Sequence, residues 1–168
     1  MKQIVVPLEP IVAKHRGYNA IFWALGAEPS SPQFGVKGFK KPVMAELARG
    51  RQAEGYRAGV APPVGELVEL VLEDGTPHPT HPAGYQTGVT ERAESPGCYD
   101  WTEARETLRA KLLAGRMDVW RKVHAIMPPE NYHPFTIDGE HFAGSKANDV
   151  QPSHWGLWKG RLVWLDWY

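Results

Sequence analysis

The last fourteen residues of this chain hold four of its seven tryptophans, and this segment limits the possible folds more than any other feature. A chain terminus usually frays, so one this rich in aromatic side chains must be buried against its own core or a partner. The pair Lys159-Gly160 divides the segment into two apolar runs. We therefore predict a C-terminal β-hairpin with strands at Trp155–Trp158 and Leu162–Trp167.

The second predicted strand has two different faces, because side chains alternate along a β-strand. Val163, Leu165 and Trp167 form a wholly apolar face, which we assign to the core of the domain. Trp164 and Asp166 lie on the opposite, mixed face, which we expect to be partly covered or to meet a partner.

Glycine and proline interrupt the sequence too often for a helix bundle, with 17 and 15 residues among 168. Large apolar residues are nevertheless plentiful, so we do not predict a disordered chain. The length fits one domain, and we predict a single domain over residues 1–168. The fold class that follows is α+β: a small, mainly antiparallel sheet with two to three helices, long Pro/Gly-rich loops and the C-terminal Trp-rich β-hairpin.

Two regions have the pattern of helices. Pro42 suits a first helical turn, and we predict a helix at 42–57 that frays near Gly50 or Gly55. The second region, 100–127, has apolar residues at helical spacing, with Gly115 as a C-cap or a kink. Short strands are predicted at Lys2–Val6, Leu67–Leu72 and Phe135–Ile137, and Tyr18–Leu25 fits a buried helix or a core strand equally well.

Three long connections, at residues 26–41, 74–99 and 128–153, have little regular pattern. The pairs Asp74-Gly75 and Asp138-Gly139 within them are turn signals. Connections of this length are uncommon in a compact domain and tend to be functional. We interpret them as loops that another chain holds in place, which favours an assembly or interaction protein.

The charges of the chain cancel, with 19 Lys and Arg residues against 19 Asp and Glu residues. This balance argues against a general nucleic-acid binder, which carries a basic excess, and it favours association over mutual repulsion. No stretch approaches the roughly 20 apolar residues of a membrane-spanning helix. The apolar run before Pro7 is too short for a signal segment. We therefore expect a protein of the host-cell cytoplasm or of a virion, without membrane contact.

Basic and aromatic residues alternate between positions 34 and 57, a mixture typical of single-stranded nucleic-acid binding. The basic residues are Lys37, Lys40, Lys41, Arg49, Arg51 and Arg57, and the aromatic residues are Phe34, Phe39 and Tyr56. Glu46 and Glu54 dilute this run. We therefore favour a solvated helix face or a contact with an acidic protein, and we consider nucleic acid an unfavoured partner.

Two histidines lie close together in His78-Pro79-Thr80-His81, and His133 and His141 lie further along the chain. Recognisable zinc sites need four ligands at set spacing, and no such set is present in the sequence. We predict no metal and no cofactor, and we interpret these histidines as loop-packing residues that could also face a partner.

Cys98 is the one cysteine of the chain, and it precedes the predicted helix at 100–127. A helix N-terminus lowers the pKa of a thiol and favours the reactive thiolate. The order of this cysteine and of His154, which opens a later strand, resembles NlpC/P60 or papain-like cysteine peptidases. The resemblance implies Cys98 as nucleophile and His154 as base of a hydrolase. The alternative is that Cys98 is a small buried apolar residue.

These observations favour a non-enzymatic protein-interaction or assembly component, such as a structural protein of a bacteriophage head or tail. One alternative is a small phage or mobile-element inhibitor that binds a host protein, and a second is the Cys/His-dependent hydrolase. The partners expected are other protein chains, identical or different. We assign partner binding to Trp155, Trp158, Trp164, Asp166, Tyr168, His78 and His81.

Overall fold

The structure is a computed structural model, and it describes residues 1–10, 19–24, 34–88, 91–92 and 105–168. The chain divides into two compact units. The first unit comprises Met1–Ala53, Pro62–Val89 and Tyr168, and the second comprises Glu54–Ala61 and Thr90–Trp167. Helices and mainly antiparallel strands make up the described residues, which confirms the predicted α+β fold class.

A five-stranded sheet forms the framework of the first unit. Its strands stand in the order β1-β4-β5-β3-β2, and the β1–β4 pair is parallel whereas the other pairs are antiparallel. The strands are β1 (Lys2–Val5), β2 (Ala20–Ala24), β3 (Phe34–Phe39), β4 (Val64–Val71) and β5 (Ala83–Gly88). The sequence left the region Tyr18–Leu25 open between helix and strand, and its described part contains the strand β2 at Ala20–Ala24.

Helix α1 (Pro42–Arg57) follows β3, and its N-terminal part packs on one face of this sheet. The side chains buried there include Phe39, Ala45 and Tyr85. The other face buries a second apolar cluster, which includes Trp23 and Leu70. Both faces of the central strands are thus in the core, which fixes the sheet as a rigid support for its edge strand β1.

Strands β3 and β5 correct the prediction that 26–41 and 74–99 are irregular connections. The sequence did not predict these two strands because both contain glycine, which ordinarily indicates a turn. Here glycine is needed for close packing: a Cβ on Gly38 would lie 2.6 Å from side-chain atoms of Leu70 and Trp23. A Cβ on Gly84 would lie 2.4 Å from the carbonyl oxygen of Lys37 on the neighbouring strand.

The second unit combines two helices with two small sheets. The helices are α2 (Arg105–Leu113) and α3 (Met117–Ile126), and Gly115 between them has a φ of 74°, which confirms the break predicted there. The strands are β6 (Glu91–Arg92), β7 (Phe135–Ile137), β8 (Glu140–Phe142), β9 (Trp155–Trp158) and β10 (Arg161–Trp164). Strands β6, β9 and β10 form one antiparallel sheet, and β7 and β8 form a hairpin.

The C-terminal hairpin of β9 and β10 turns at Lys159-Gly160 as predicted. Both turn residues have positive φ, 49° and 75°, as in the turns that match the twist of a hairpin. The predicted extent of its second strand is wrong, because β10 ends at Trp164. The alternation of faces therefore stops there, and Trp164 and Trp167 are both fully buried, whereas Leu165 is partly exposed.

Among the described residues, no helix combines the length and the apolar character that crossing a membrane requires.

Candidate binding site

Strand β1 stands at the end of the five-stranded sheet of the first unit. The backbone N–H of Val6 donates to the carbonyl oxygen of Val71 at 2.9 Å. Backbone groups of successive strand residues point to opposite sides, so the amides of Gln3 and Val5 point away from β4. Within the described ranges no strand pairs with this outer edge, which leaves β1 with hydrogen-bonding groups that another strand could use.

Apolar side chains are exposed along this same edge. Met1 is 79% and Val5 57% exposed, and Leu8, just after the strand, is 52% exposed. Single exposed apolar residues are ordinary, but these three lie close together in sequence, at and beside the end strand. The edge therefore offers both backbone groups and apolar area.

A groove of about 310 Å³ adjoins the edge, between the start of α1 and the β1–β4 side of the sheet. Its apolar lining includes Ala45 of the helix and Leu67, Val71 and Ala83 of the sheet. Leu67, Glu69 and Val71 occupy every second position of β4, so their side chains project from the same face of the sheet. That face forms the floor of the groove. Such a volume is at the small end of ligand-binding pockets, which span roughly 300–1,000 Å³.

Two carboxylates stand at this groove, Glu46 on α1 and Glu69 on β4, and both side chains are exposed. The amide Nε2 of Gln3 donates to Oε2 of Glu69 at 3.2 Å. Among the residues that the structure describes, neither carboxylate forms an ion pair. The groove therefore combines an apolar floor with negative charge that no described side chain neutralises.

The histidine pair of the first unit holds its own loop together. Nδ1 of His78 accepts the backbone N–H groups of Thr80 at 3.3 Å and His81 at 3.1 Å. Its Nε2 lies 3.0 Å from the carbonyl oxygen of Leu8, so this nitrogen carries the proton and donates it. His78 is 1% exposed and both of its ring nitrogens have hydrogen-bond partners within the loop and at Leu8, which indicates a packing role.

His81 is also buried, and its Nδ1 lies 2.8 Å from Oγ1 of Thr80. His133 and His141 are exposed residues of the second unit. In the described part of the chain, no three or more His, Cys, Asp or Glu side chains are grouped so that they could hold a metal ion.

The tryptophans assigned to partner binding lie mostly in the core of the second unit. Trp155 and Trp164 are fully buried, with their rings edge-to-face at a centroid distance of 4.9 Å. Trp158 keeps some exposed surface, and Nζ of Lys159 lies 5.5 Å from the centre of its ring. In the first unit, the partly exposed Tyr168 packs against Phe39 at a centroid distance of 5.7 Å.

Asp166 is the remaining residue of that assignment, and its side chain is 25% exposed. Its carboxylate lies 3.6 Å from Nε2 of His154 and 4.0 Å from Nζ of Lys146. Of the seven assigned residues, Trp158, Asp166 and Tyr168 thus keep accessible surface, and partner binding by them stays a prediction.

The Cys98–His154 pair cannot be placed as a pair, because Cys98 lies outside the described residues, as does the start of the region 100–127. His154 is described: its ring packs edge-on against Trp164, at a centroid distance of 5.2 Å. Its Nδ1 is buried and has no hydrogen-bond partner among the described residues.

The aromatic residues that alternate with the basic run at 37–57 do not share one environment. Phe39 is fully buried in the core of the first unit, and Tyr56 is 51% exposed. Nε of Arg49 donates to the carbonyl oxygen of Gly65 at 2.7 Å, so this side chain also supports the fold. The side chain of Phe34 lies outside the described part of the structure.

The edge and its groove were not among the sites expected from the sequence. The strands at Lys2–Val6 and at Leu67–Leu72 were both predicted. Neither signal shows that β1 pairs with β4 at the end of a sheet, because that pairing joins residues more than sixty positions apart.

Comparison with known proteins adds no relative: no protein-family model, curated protein or solved structure matches this chain.

Proposed function

We propose that this protein is a non-enzymatic protein-interaction or assembly component, and that it binds a partner along the outer edge of β1. The observation that carries the proposal is the combination of outward-pointing amides at Gln3 and Val5 with the exposed apolar side chain of Val5 and those of Met1 and Leu8 beside the strand. An edge strand of this kind is a template on which another chain can add a strand.

The two parts of the site suit the two requirements of strand addition. Backbone hydrogen bonds to the edge supply affinity, and a pocket for alternate side chains supplies specificity. Here the groove beside β1 is placed to receive the side chains that project from one face of an added strand. The rigid, doubly packed sheet behind β1 limits the entropy lost on binding.

A bacteriophage head or tail protein is the specific form of this proposal that the sequence suggested. In such an assembly the edge would pair with a neighbouring virion subunit. In the alternative form, an inhibitor from a phage or mobile element, the edge would pair with one host protein. The identity of the chain bound at β1 separates the two forms.

The test is site-specific photo-crosslinking. A benzophenone amino acid replaces Val5 in the full-length chain, and in a control chain it replaces Tyr56, which is similarly exposed at 51%. After irradiation in the source cells, we expect a discrete protein adduct from position 5 that position 56 does not give. The adduct is identified by mass spectrometry, and the complex is rebuilt from purified proteins.

Two results would contradict the proposal. One is the absence of any adduct from position 5 under conditions in which the chain is folded and abundant. The other is the same set of adducts from both positions, which would indicate random collisions.

A further inference from the structure

We infer that the occupant of the edge is an extended, positively charged segment of a partner protein, which places a Lys or Arg side chain in the groove between Glu46 and Glu69. This inference rests on the proposed function and adds the chemistry of the partner.

The geometry of the sheet sets which side chains can reach the groove. An added strand would lie about 4.8 Å beyond β1, and Glu69 stands on β4, so about 10 Å separates the new backbone from that of Glu69. On the groove side, β1 carries Gln3 and Val5, which lie opposite Glu69 and Val71 in the register. Only a long side chain extends from the added strand across β1 to the carboxylates.

The lining of the groove fits the two parts of such a side chain. Lys and Arg have an apolar stem that packs on apolar surface and a charged head that stays near water. Leu67, Val71 and Ala83 supply the apolar floor, and Glu46 and Glu69 stand at the exposed rim. A purely apolar side chain would leave the carboxylates without a counterion, and an acidic one would be repelled.

A second copy of this chain fits the groove less well. In a symmetric antiparallel pairing of two β1 strands, the equivalent faces of the two strands lie on the same side of the joined sheet. The copy would then place Met1, Gln3 and Val5 toward the groove, and none of these side chains carries a positive charge. Lys2 lies on the opposite face of the strand, so in this pairing no basic side chain of the copy's β1 reaches Glu46 and Glu69.

The experiment measures binding of labelled peptides to the full-length chain by fluorescence anisotropy. One probe alternates valine with lysine, and the second alternates valine with glutamate. We expect the lysine probe to bind at least about tenfold more tightly, because like charges across an interface are strongly disfavoured. Replacing both groove carboxylates (E46Q with E69Q) should weaken the lysine probe about fivefold, as expected for two solvent-exposed ion pairs.

Two matched controls separate specific effects from general ones. The pair E66Q with E73Q removes the same total charge from exposed glutamates that do not line the groove, and it should leave the affinity nearly unchanged. Val5→Pro removes an outward N–H and should abolish binding of both probes, whereas Val5→Thr keeps the N–H and should bind both probes far more tightly than Val5→Pro does. Far-UV circular dichroism and thermal melting show that each variant is folded.

The outcomes distinguish this inference from the proposed function. If E46Q with E69Q behaves as E66Q with E73Q, or if both probes bind equally well, the cationic occupant is wrong, although sensitivity to Val5→Pro would preserve the edge as a binding surface. If folded Val5→Pro binds both probes normally, the edge is not used and both proposals fail. A dimer in sedimentation that Val5→Pro dissociates would make a second copy the occupant and overturn the inference.

Discussion

The indole of Trp167 packs directly against Gly55 in the last turns of α1. A Cβ on Gly55 would lie 2.5 Å from two atoms of that ring and 2.9 Å from Cβ of Ala61. Glycine at this position therefore permits contact of the helix with the buried C-terminal tryptophan. This contact explains why α1 continues through Gly55 to Arg57, although the sequence predicted fraying near Gly50 or Gly55.

Gly55→Ala should destabilise the protein by about 1–3 kcal/mol, because the added methyl group overpacks a filled site. Alanine also has a higher helix propensity than glycine, by up to about 1 kcal/mol, but this gain is smaller than the cost of overpacking. The measurement is the free energy of unfolding in urea. The control is Gly50→Ala in the same helix, where a Cβ meets no atom within 4 Å. That variant should be more stable by up to about 1 kcal/mol, and equal shifts in the two variants would contradict the packing at Gly55.

Local signals account for the parts of the fold that the sequence predicted well. The turns at Asp138-Gly139 and Lys159-Gly160 depend on residues that tolerate positive φ, and both turns have it. Strand pairing depends on distant residues instead. No local pattern indicates that β1 lies parallel to β4 or that β3 and β5 stand between β4 and β2.

The same distinction applies to the candidate site. Glu46 and Glu69 come from a helix and a strand, and only the packing of α1 on the sheet brings both to one groove. The assignment of Trp155 and Trp164 to a partner-facing surface relied on strand alternation and on their aromatic character. Their burial follows from packing of the hairpin in one apolar cluster with Trp120 of α3, which a strand pattern does not predict.

Gln52 connects three groups inside the first unit, and its replacement tests how much this buried network stabilises. Its Nε2 donates to the carbonyl oxygen of Pro62 at 3.0 Å and to Oγ1 of Thr87 at 2.7 Å. Its Oε1 accepts the hydroxyl proton of Tyr85 at 2.8 Å. Gln52→Leu keeps a similar side-chain volume but removes the amide, so the three groups lose their hydrogen bonds to it. We therefore expect the free energy of unfolding to fall by about 2–4 kcal/mol.

A double-mutant cycle with Tyr85→Phe separates the contribution of the Gln52–Tyr85 pair. The double variant should lose less stability than the sum of the two single variants, because removing both partners leaves fewer buried polar groups unpaired. Additive effects in the cycle would show that the two side chains do not interact.

Asp74 gives a pH dependence with a defined sign. Its carboxylate accepts the hydroxyl proton of Thr76 at 2.6 Å and the backbone N–H of Thr76 at 3.0 Å, and these bonds hold its pKa below the ordinary 3.8. A carboxyl group with a lowered pKa in the folded state stabilises the fold fully above its ordinary pKa. That contribution is lost as the pH falls through the lower, folded value.

Thr76→Val removes the hydroxyl bond, the largest cause of the shift, and keeps the backbone N–H. The pKa of Asp74 should therefore rise while staying below its ordinary value, and the variant should lose less stability than the original chain on acidification. Carbon-detected NMR titration of the Asp74 carboxyl measures the pKa. An unchanged pKa in the variant would show that the hydroxyl bond does not form in solution.

His78 should be structural, and its replacement should reveal this through stability. His78→Phe keeps an aromatic ring but removes the acceptor for the N–H groups of Thr80 and His81 and the donor to Leu8. We expect a loss of about 2–4 kcal/mol, because buried polar groups left without partners cost about 1–3 kcal/mol each. Urea unfolding measures the effect.

The control for His78 is His78→Asn, whose side-chain oxygen can replace Nδ1 as an acceptor. It should be more stable than His78→Phe and less stable than the original chain, because the bond to Leu8 is lost. Zinc should not raise the melting temperature of the original chain through this residue, since both ring nitrogens are already hydrogen-bonded. A zinc-dependent increase that His78→Phe and His78→Asn both abolish would show that His78 leaves this arrangement to bind metal.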